Sequence, residues 1–141
     1  MNIVGIARTW IGTPYLHQAS VLGVGCDCLG LLRGIWREVY GPEPEVIPAY
    51  TQDWSEPQGV ERLMAAANRH FRDVTQAPLA SGQVVLFRMR QGAVAKHLGV
   101  ISDAGEFAQF VHAYQGHGVV ESPLSAPWRK RIAARFEFIE R

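Results

Sequence analysis

One stretch of the sequence, residues 23–40, places two cysteines and an aspartate directly before a helical pattern. The apolar side chains that follow recur at intervals of three and four residues, at Leu31, Leu32, Ile35 and Val39. That period predicts a helix with one face in a core. Asp27 is placed to cap its first turn, and the Gly41-Pro42 pair ends it. Cys28 therefore lies at the N-terminus of a helix.

A thiol in the first turn of a helix is exposed to the positive end of the helix dipole and to unpaired backbone amides. These stabilise the thiolate and can lower the pKa of a cysteine from about 8.5 towards neutrality. Cys28 is therefore a candidate nucleophile. The alternative is a core residue, because free cysteine is among the residue types most often buried. A histidine base elsewhere in the chain would favour the nucleophile.

Charge, hydropathy and cysteine spacing argue against several other classes of protein. A formal net charge of +1 provides no basic surface for nucleic acid. The apolar runs are too short to span a membrane, and the first residues do not resemble a signal peptide, so we expect synthesis in the cytoplasm and no membrane insertion. The two cysteines, one residue apart, suit neither a disulfide nor a usual zinc site, and no metal or other cofactor is expected.

The length of 141 residues suits one domain, expected to span residues 1–141. Helical periodicity predicts a short first helix, ended by Gly12 and Pro14, and a third helix over about residues 59–70 with Val60 in its apolar stripe. Beyond it the pattern changes to short β-rich runs between turn residues, at 84–89, 97–102, 107–114, 119–122 and 132–139. The predicted fold class is α+β, with N-terminal helices packed on a C-terminal antiparallel β-meander.

Two irregular segments are expected to surround the site. Residues 16–20 are polar, lack a regular period and lead into the cysteines, so we expect them to line the cleft that faces Cys28. Residues 41–59 contain four prolines together with Tyr50 and Trp54. Such a segment cannot form an interior strand or helix, and we expect a long ordered loop that forms a binding wall.

Two of the five histidines lie on predicted strands. His97 opens one strand, and His112 lies in the next, where alternation places it on the same face as Phe110 and Tyr114. If adjacent strands direct both rings at Cys28, the thiol has a base and the base has an orienting group. The alternative for His112 is a buried, hydrogen-bonded strand residue. The other histidines are expected in solvated loops or at a helix end: His17, His70 and His117.

Four motifs, in this order, resemble those of the NlpC/P60 cysteine peptidases: Gly12-Thr13-Pro14-Tyr15, Asp27-Cys28-Leu29-Gly30-Leu31, Lys96-His97-Leu98-Gly99-Val100-Ile101 and Val111-His112-Ala113. The resemblance covers nearly the whole chain. It is strongest to the phage-type branch found in the tail modules of prophages and gene transfer agents, in which segments 25–31 and 127–131 also have counterparts. The chain departs from the commoner pattern by having Leu29 where serine is frequent, and by having Cys26, which stays a rival nucleophile.

The resemblance implies a papain-like NlpC/P60 fold and a peptidoglycan hydrolase. Such an enzyme is a thiol peptidase or amidase that cleaves stem peptides, commonly at the D-γ-glutamyl-diaminopimelate bond. Carried over by motif, Cys28 is the nucleophile, His97 the general base and later acid, and His112 the group that orients its imidazole. Because His97 changes protonation state in each cycle, it is expected to titrate near neutrality. Tyr15 and Asp27 are the expected substrate-binding residues.

The resemblance also implies partners and a location. The expected partners are peptidoglycan stem peptides and the tip or hub proteins of a phage-like tail. The protein would be carried in the virion and act at the cell wall or in the periplasm. Segment 127–131 is a candidate docking surface; the alternative is that Trp128 caps the core and the adjacent cations are solvated. Two alternative functions are a catalytically silent structural tail protein and an acyltransferase of the same fold.

Overall fold

The computed structural model describes residues 1–52 and 59–140 of the chain. Its elements in chain order are α1 (Ile3–Thr9), β1 (Ser20–Val21), β2 (Gly25–Cys26), α2 (Cys28–Tyr40), α3 (Arg62–His70), β3 (Arg72–Asp73), β4 (Val84–Arg88), β5 (Ala95–Asp103), β6 (Gln109–Tyr114), β7 (Gly118–Pro123), α4 (Ala126–Lys130) and β8 (Ile132–Glu137). In these residues, no helix has the length and apolar character needed to cross a membrane.

Six of the strands form one antiparallel sheet in the order β3-β8-β4-β5-β6-β7. Strands β4 to β7 follow one another as the predicted meander, but β8 returns across the sheet to pair with β4. The expectation of helices only before the sheet is wrong in one detail, because the five-residue helix α4 precedes β8. The predicted α+β class, with helices packed on an antiparallel sheet, is confirmed.

Alternation along the strands divides the core between the two faces of the sheet. One face packs against α1, α2 and α3, and its buried side chains include Val84, Leu86, Leu98, Val100, Val111 and Phe136. The opposite face carries a smaller core, which includes Val85, Phe87, Ile101, Phe110 and Leu124, and the half-buried Trp128 of α4 packs against it. Burial on both faces explains why strands β4 and β5 read as nearly continuous apolar runs.

Helix α2 begins and ends where the sequence predicts. The Asp27 carboxylate accepts a hydrogen bond from the Gly30 amide at 2.7 Å, and Gly41 follows the last turn with a φ of 92°. The loop that precedes α2 packs closely against the first turn of this helix. A Cβ at Gly30 would stand 1.8 Å from the carbonyl oxygen of Ala19, so this approach requires glycine. The loop and the helix N-terminus therefore form one packed unit around Cys28.

Helix α3 begins later than predicted, at Arg62. Gly59 has a left-handed φ of 69°, which a helix does not accommodate, and Val60 is 45% exposed. Val60 is therefore not part of the buried stripe. The predicted wall loop of residues 41–59 is described only as far as residue 52, and Trp54 lies outside the described residues.

Candidate active site

A cleft opens where the N-terminus of α2 meets the beginning of β5. Its lining includes Tyr15, Asp27, Cys28, Tyr50, His97 and Tyr114. Strand β5 supplies the base candidate, and helix α2 supplies the thiol. The structure therefore brings the nucleophile and the base predicted from the sequence into the same cleft.

The two cysteines differ in what surrounds them, although both are free and buried. Cys28 lines the cleft, and the backbone amides of Cys28, Leu29 and Leu98 hydrogen-bond its sulfur. Cys26 is fully buried, lies in β2 opposite Ser20, and is not part of the cleft lining. Only Cys28 is placed to meet a substrate.

Burial dominates the electrostatics of the Cys28 thiol. Desolvation, followed by the charge of Asp27, raises its pKa to about 12, although the three backbone amides act in the opposite direction. The expectation of a pKa near neutrality is therefore wrong for the resting site. The amides at a helix N-terminus do not compensate for removing the thiolate from water. Cys28 rests as a neutral thiol.

His97 and His112 form a direct hydrogen bond across adjacent strands. Nε2 of His97 lies 2.8 Å from Nδ1 of His112, and Nε2 of His112 lies 2.9 Å from Oγ of Ser122. Nδ1 of His97 is thus the ring nitrogen left for the cleft. In the described residues no hydrogen bond joins this ring to Cys28, whose sulfur is held by the amide of Leu98, the next residue of β5.

Aromatic side chains enclose the histidine pair. Ring centroids lie 5.8 Å apart for Phe87 and His97 and 4.2 Å apart for Phe110 and His112. Gly99 leaves the space between the strands open, because a Cβ there would stand 2.8 Å from the Phe110 ring and 3.1 Å from Cβ of His112. The pair therefore lies in a largely apolar environment.

Trp128 of α4 covers the same pair. Its ring centroid lies 5.6 Å from that of His97 and 5.4 Å from that of His112, and the Arg131 guanidinium lies over it at 5.6 Å. Of the two alternatives for segment 127–131, the structure shows Trp128 capping the core. Part of the Trp128 side chain stays exposed, so its role as a docking anchor stays a prediction. Arg129 is not merely solvated, since its Nε donates to the carbonyl of Leu124 at 3.1 Å.

Burial also sets the protonation of both imidazoles. It lowers the pKa of His97 to about 3, with a further contribution from neighbouring His112. It lowers the pKa of His112 to about 4, with a further contribution from His117. The expectation that His97 titrates near neutrality is therefore wrong for the resting site. Thiol and imidazoles are all neutral at pH 7.

Two buried neutral histidines make the folded protein sensitive to acid. In the unfolded chain both protonate near pH 6.5, whereas in the folded protein the pKa falls to about 3 for His97 and to about 4 for His112. The unfolded state therefore binds more protons between these values. We expect the free energy of unfolding to fall as the pH drops below 6.5, by up to about 1.4 kcal/mol per pH unit for each histidine.

Urea unfolding measured between pH 7 and pH 4 tests this expectation. The His112→Gln variant, which keeps a polar side chain of similar size, should show a shallower loss of stability because one buried imidazole is removed. His70→Gln, outside the cleft, is the matched control and should follow the wild type. Equal slopes for wild type and His112→Gln would contradict the assignment.

Asp27 ties the wall loop to the start of α2. Its carboxylate is 2% exposed, and besides capping the helix it accepts hydrogen bonds from the Gln18 amide and from the hydroxyl of Tyr50. The Tyr50 carbonyl in turn lies 2.9 Å from Nε2 of His17 and accepts from the Gln18 side chain at 2.7 Å. The described part of the loop, up to residue 52, thus forms one wall of the cleft.

The structure also shows where the other three histidines and Tyr15 lie. His17 was expected in a solvated loop. It is instead half-buried in the cleft lining, because Tyr50 packs against it. His70 ends α3 as expected and pairs with Glu45. His117 stacks on Tyr114. Burial, followed by repulsion from the Asp27 carboxylate and from the thiolate that Cys28 would form at high pH, raises the pKa of Tyr15 to about 12 and keeps its hydroxyl protonated.

Within residues 1–52 and 59–140, no three or more histidine, cysteine, aspartate or glutamate side chains are grouped so as to hold a metal ion. The polar groups of the cleft are arranged instead as a thiol, a histidine and hydrogen-bonding partners behind it.

Comparison with known proteins supports the sequence resemblance at the level of the fold. The NlpC/P60 family protein from Bacillus cereus superimposes with a TM-score of 0.68 at 20% identity, over 99% of this chain and 40% of that one. The NlpC/P60 domain of the peptidoglycan hydrolase SagA gives 0.58 at 23% identity, over 96% of both chains. This chain has the NlpC/P60 fold. A lipoprotein-like NLP/P60 protein from Staphylococcus aureus gives 0.62 at 17% identity, over 99% of this chain and 41% of that one.

Three curated relatives, all from Escherichia coli strains, also match by sequence. The murein DD-endopeptidase MepS/murein LD-carboxypeptidase of Escherichia coli K12 is 31% identical over 123 residues, which are 86% of this chain and 54% of the relative. The chain thus spans about half the length of the curated relatives it matches. No protein-family model matches the chain.

Sequence reasoning did not find the contact of Ser122 with His112 or the spacing role of Gly99. Ser122 is the last residue of the predicted strand 119–122. Strand alternation alone could have placed it on the same face of the sheet as His112 of the neighbouring strand. Gly99 is part of the quoted motif, but its role as a gap between strands is visible only from the pairing of β5 with β6.

Proposed function

We propose that this protein is a peptidoglycan hydrolase that acts as a cysteine peptidase on stem peptides. The observation that carries the proposal is the shared cleft of Cys28 and His97, with His112 bonded to the far side of the His97 ring. The relative from Escherichia coli is named as a murein endopeptidase. SagA, which has the same fold, is named as a peptidoglycan hydrolase.

The neutral resting site sets how the reaction begins. As the Cys28 sulfur attacks the carbonyl carbon, its proton passes to Nδ1 of His97, so that thiolate character develops only together with the S–C bond. The carbonyl oxygen becomes an oxyanion. The backbone amides of Cys28 and Leu29, already directed at the sulfur, are placed to donate to it. No hydrogen bond joins the thiol to the imidazole in the described resting site, and we propose that substrate binding brings the two groups together.

The imidazolium of His97 then acts as an acid. It gives its proton to the departing amine as the C–N bond breaks, and a thioester on Cys28 remains. A water molecule next loses a proton to His97 and attacks the thioester; the C–S bond breaks, and the sulfur regains its proton. His112 holds the ring in one orientation throughout, because its bond to Nε2 of His97 lies on the far side from the substrate.

The proposed bond is the D-γ-glutamyl-diaminopimelate bond of the stem peptide, as the family resemblance implies. The Tyr15 hydroxyl, beside the thiol and protonated, is the group that we propose contacts the substrate. Asp27 is already engaged by three donors. We therefore propose that Asp27 shapes the substrate site mainly by holding Tyr50 and the wall loop in place.

Digestion of purified peptidoglycan, analysed by mass spectrometry, tests the function, with heat-treated enzyme as the control. New fragments that end in D-glutamate are expected. Cleavage elsewhere in the stem or cross-link would retain the hydrolase and replace the proposed bond. A conjugate formed with an added amine would indicate the acyltransferase. Intact peptidoglycan would overturn the proposal and favour the silent structural protein.

We also propose that a phage-like tail delivers the protein to the cell wall, where it would contact tip or hub proteins. Support comes from the resemblance of segments 25–31 and 127–131 to the phage-type branch. Immunoblotting of washed particles from producing cells tests this location, with a tail protein as the positive control. Absence of the protein from such particles would overturn it.

A further inference from the structure

Ser122 ends the chain of hydrogen bonds that begins at the cleft. It lies on β7, and its Oγ is 2.9 Å from Nε2 of His112. No carboxylate contacts either imidazole in the part of the chain that the structure describes, so this hydroxyl is the only side-chain partner on the far side of the pair. The proposed role of His112, to orient the His97 ring, does not by itself explain why Ser122 contacts His112.

The protons of the two rings can be counted. A neutral imidazole carries one N–H, and only one proton fits between Nε2 of His97 and Nδ1 of His112. If Nδ1 of His97 is to accept the thiol proton, the proton of His97 must be on Nε2 and donated to His112. Nδ1 of His112 is then an acceptor, so its own proton is on Nε2 and must be donated to Ser122.

The opposite arrangement disables the site. If the Ser122 hydroxyl donated to Nε2 of His112, then His112 would donate from Nδ1 to Nε2 of His97. The proton of His97 would then be on Nδ1, the ring nitrogen left for the cleft. That nitrogen could not act as a base. The direction of the bond at Ser122 therefore decides whether the cleft contains a base at all.

We propose that Ser122 is a positioning residue, whose oxygen accepts the Nε2–H of His112 and holds both imidazoles in the tautomers that leave Nδ1 of His97 free to take the thiol proton. The inference rests on the proposed peptidase function and extends it by one residue. It also applies after proton transfer. The Nε2–H of imidazolium His97 still donates to His112, and Ser122 remains the terminal acceptor.

The burial of His112 makes the hydrogen bond to the Ser122 hydroxyl important. Trp128 and Phe110 pack against His112, and the His112 side chain is 1% exposed. Without the Ser122 hydroxyl, the Nε2–H of this buried ring would lose its hydrogen-bond partner. A buried donor without a partner is costly, so the ring would change tautomer or orientation.

Nitrogen NMR of protein labelled with 15N-histidine at pH 7 tests the tautomers directly. In the wild type we expect His112 protonated at Nε2 only, and the same for His97. Ser122→Ala should lose this single pattern at His112, and Ser122→Thr, which keeps the hydroxyl, should restore it. The matched control is Ser125→Ala, an exposed serine whose side chain makes no cap hydrogen bond to α4. It should resemble the wild type.

Kinetics with the same variants supplies the functional readout. For Ser122→Ala we expect kcat to fall about 10- to 100-fold with KM within about two-fold, as for other residues that orient a catalytic group. Ser122→Thr and Ser125→Ala should stay within about three-fold of the wild type. A wild-type His112 protonated at Nδ1, or unchanged tautomers and kcat in folded Ser122→Ala, would overturn the inference. Failure of the wild type to cleave peptidoglycan would overturn the function, while the NMR result would still judge the tautomers.

Discussion

We expect the Cys28→Ala variant to lose peptidoglycan hydrolysis by about 10⁴-fold or more while keeping its fold. The substitution removes the atom that would form the thioester, and the residual rate would come only from binding and the backbone amides. The side chain is small and lies at the edge of the cleft, so circular dichroism and thermal unfolding should stay close to the wild type. Fragment release measured by mass spectrometry gives the rate.

Cys26→Ala is the matched control, because it removes a second buried thiol only two positions away. That side chain packs in the core, and we expect a loss of about 1 kcal/mol in stability with activity within a few-fold. Burial raises the pKa of both thiols to about 12, so access to reagent distinguishes them in alkylation: of the two, only Cys28 lines the cleft. Since burial raises the pKa of Cys28 to about 12, its labelling by iodoacetamide should be slow at pH 6.5 and accelerate towards alkaline pH. Activity retained in Cys28→Ala but lost in Cys26→Ala would reverse the assignment.

His97→Ala should also abolish turnover, by about 10⁴-fold, because it removes the ring nitrogen that we propose takes the thiol proton. His112→Ala should leave measurable activity, reduced about 10- to 100-fold, since it orients the base without exchanging protons with the substrate. Steady-state rates on purified stem peptides measure both. We expect the rate of His97→Ala to be far below that of His112→Ala, because only the His97 ring lines the cleft.

His70→Ala is the control for the loss of a histidine as such. Its ring lies at the end of α3, paired with Glu45 and away from the cleft, and its rate should stay within a few-fold of the wild type. A His97→Ala variant with a normal rate would exclude the proposed base. A His112→Ala variant with a normal rate would show that the hydrogen bond to Nε2 of His97 does no orienting.

Features with a clear local pattern could be predicted from the sequence. The stripe behind Cys28, the Asp27 cap and the Gly41 stop predicted α2 to the residue. Strand alternation correctly placed Phe110, His112 and Tyr114 on one face, and the turn near residue 103 correctly paired their strand with that of His97. In each case the interactions that decide the structure lie within a few residues of one another in the chain.

The remaining features depend on contacts that a single sequence does not reveal. Strands β1, β2 and β3 have two residues each, too few for a period to show. The position of Trp128 over the histidines depends on β8 returning beside β4. Helix position predicts a lowered pKa for Cys28, and the proposed mechanism predicts a pKa near neutrality for His97. Burial instead raises the first to about 12 and lowers the second to about 3, because burial depends on the whole fold.

The two imidazoles belong to a single hairpin, β5 and β6, and are 15 residues apart. Closing so short a loop costs little conformational entropy, and the cost rises only by about 0.6 kcal/mol when a loop doubles in length. The hydrogen bond between the two imidazoles is therefore formed within one hairpin, and the segment between α2 and β4 meets that hairpin at its start, where the Glu61 carboxylate accepts from the Ala95 amide. That segment contributes Tyr50 to the cleft wall. A change of side chain at Tyr50 would therefore alter the shape of the cleft while the two strands that carry the imidazoles stay paired as they are.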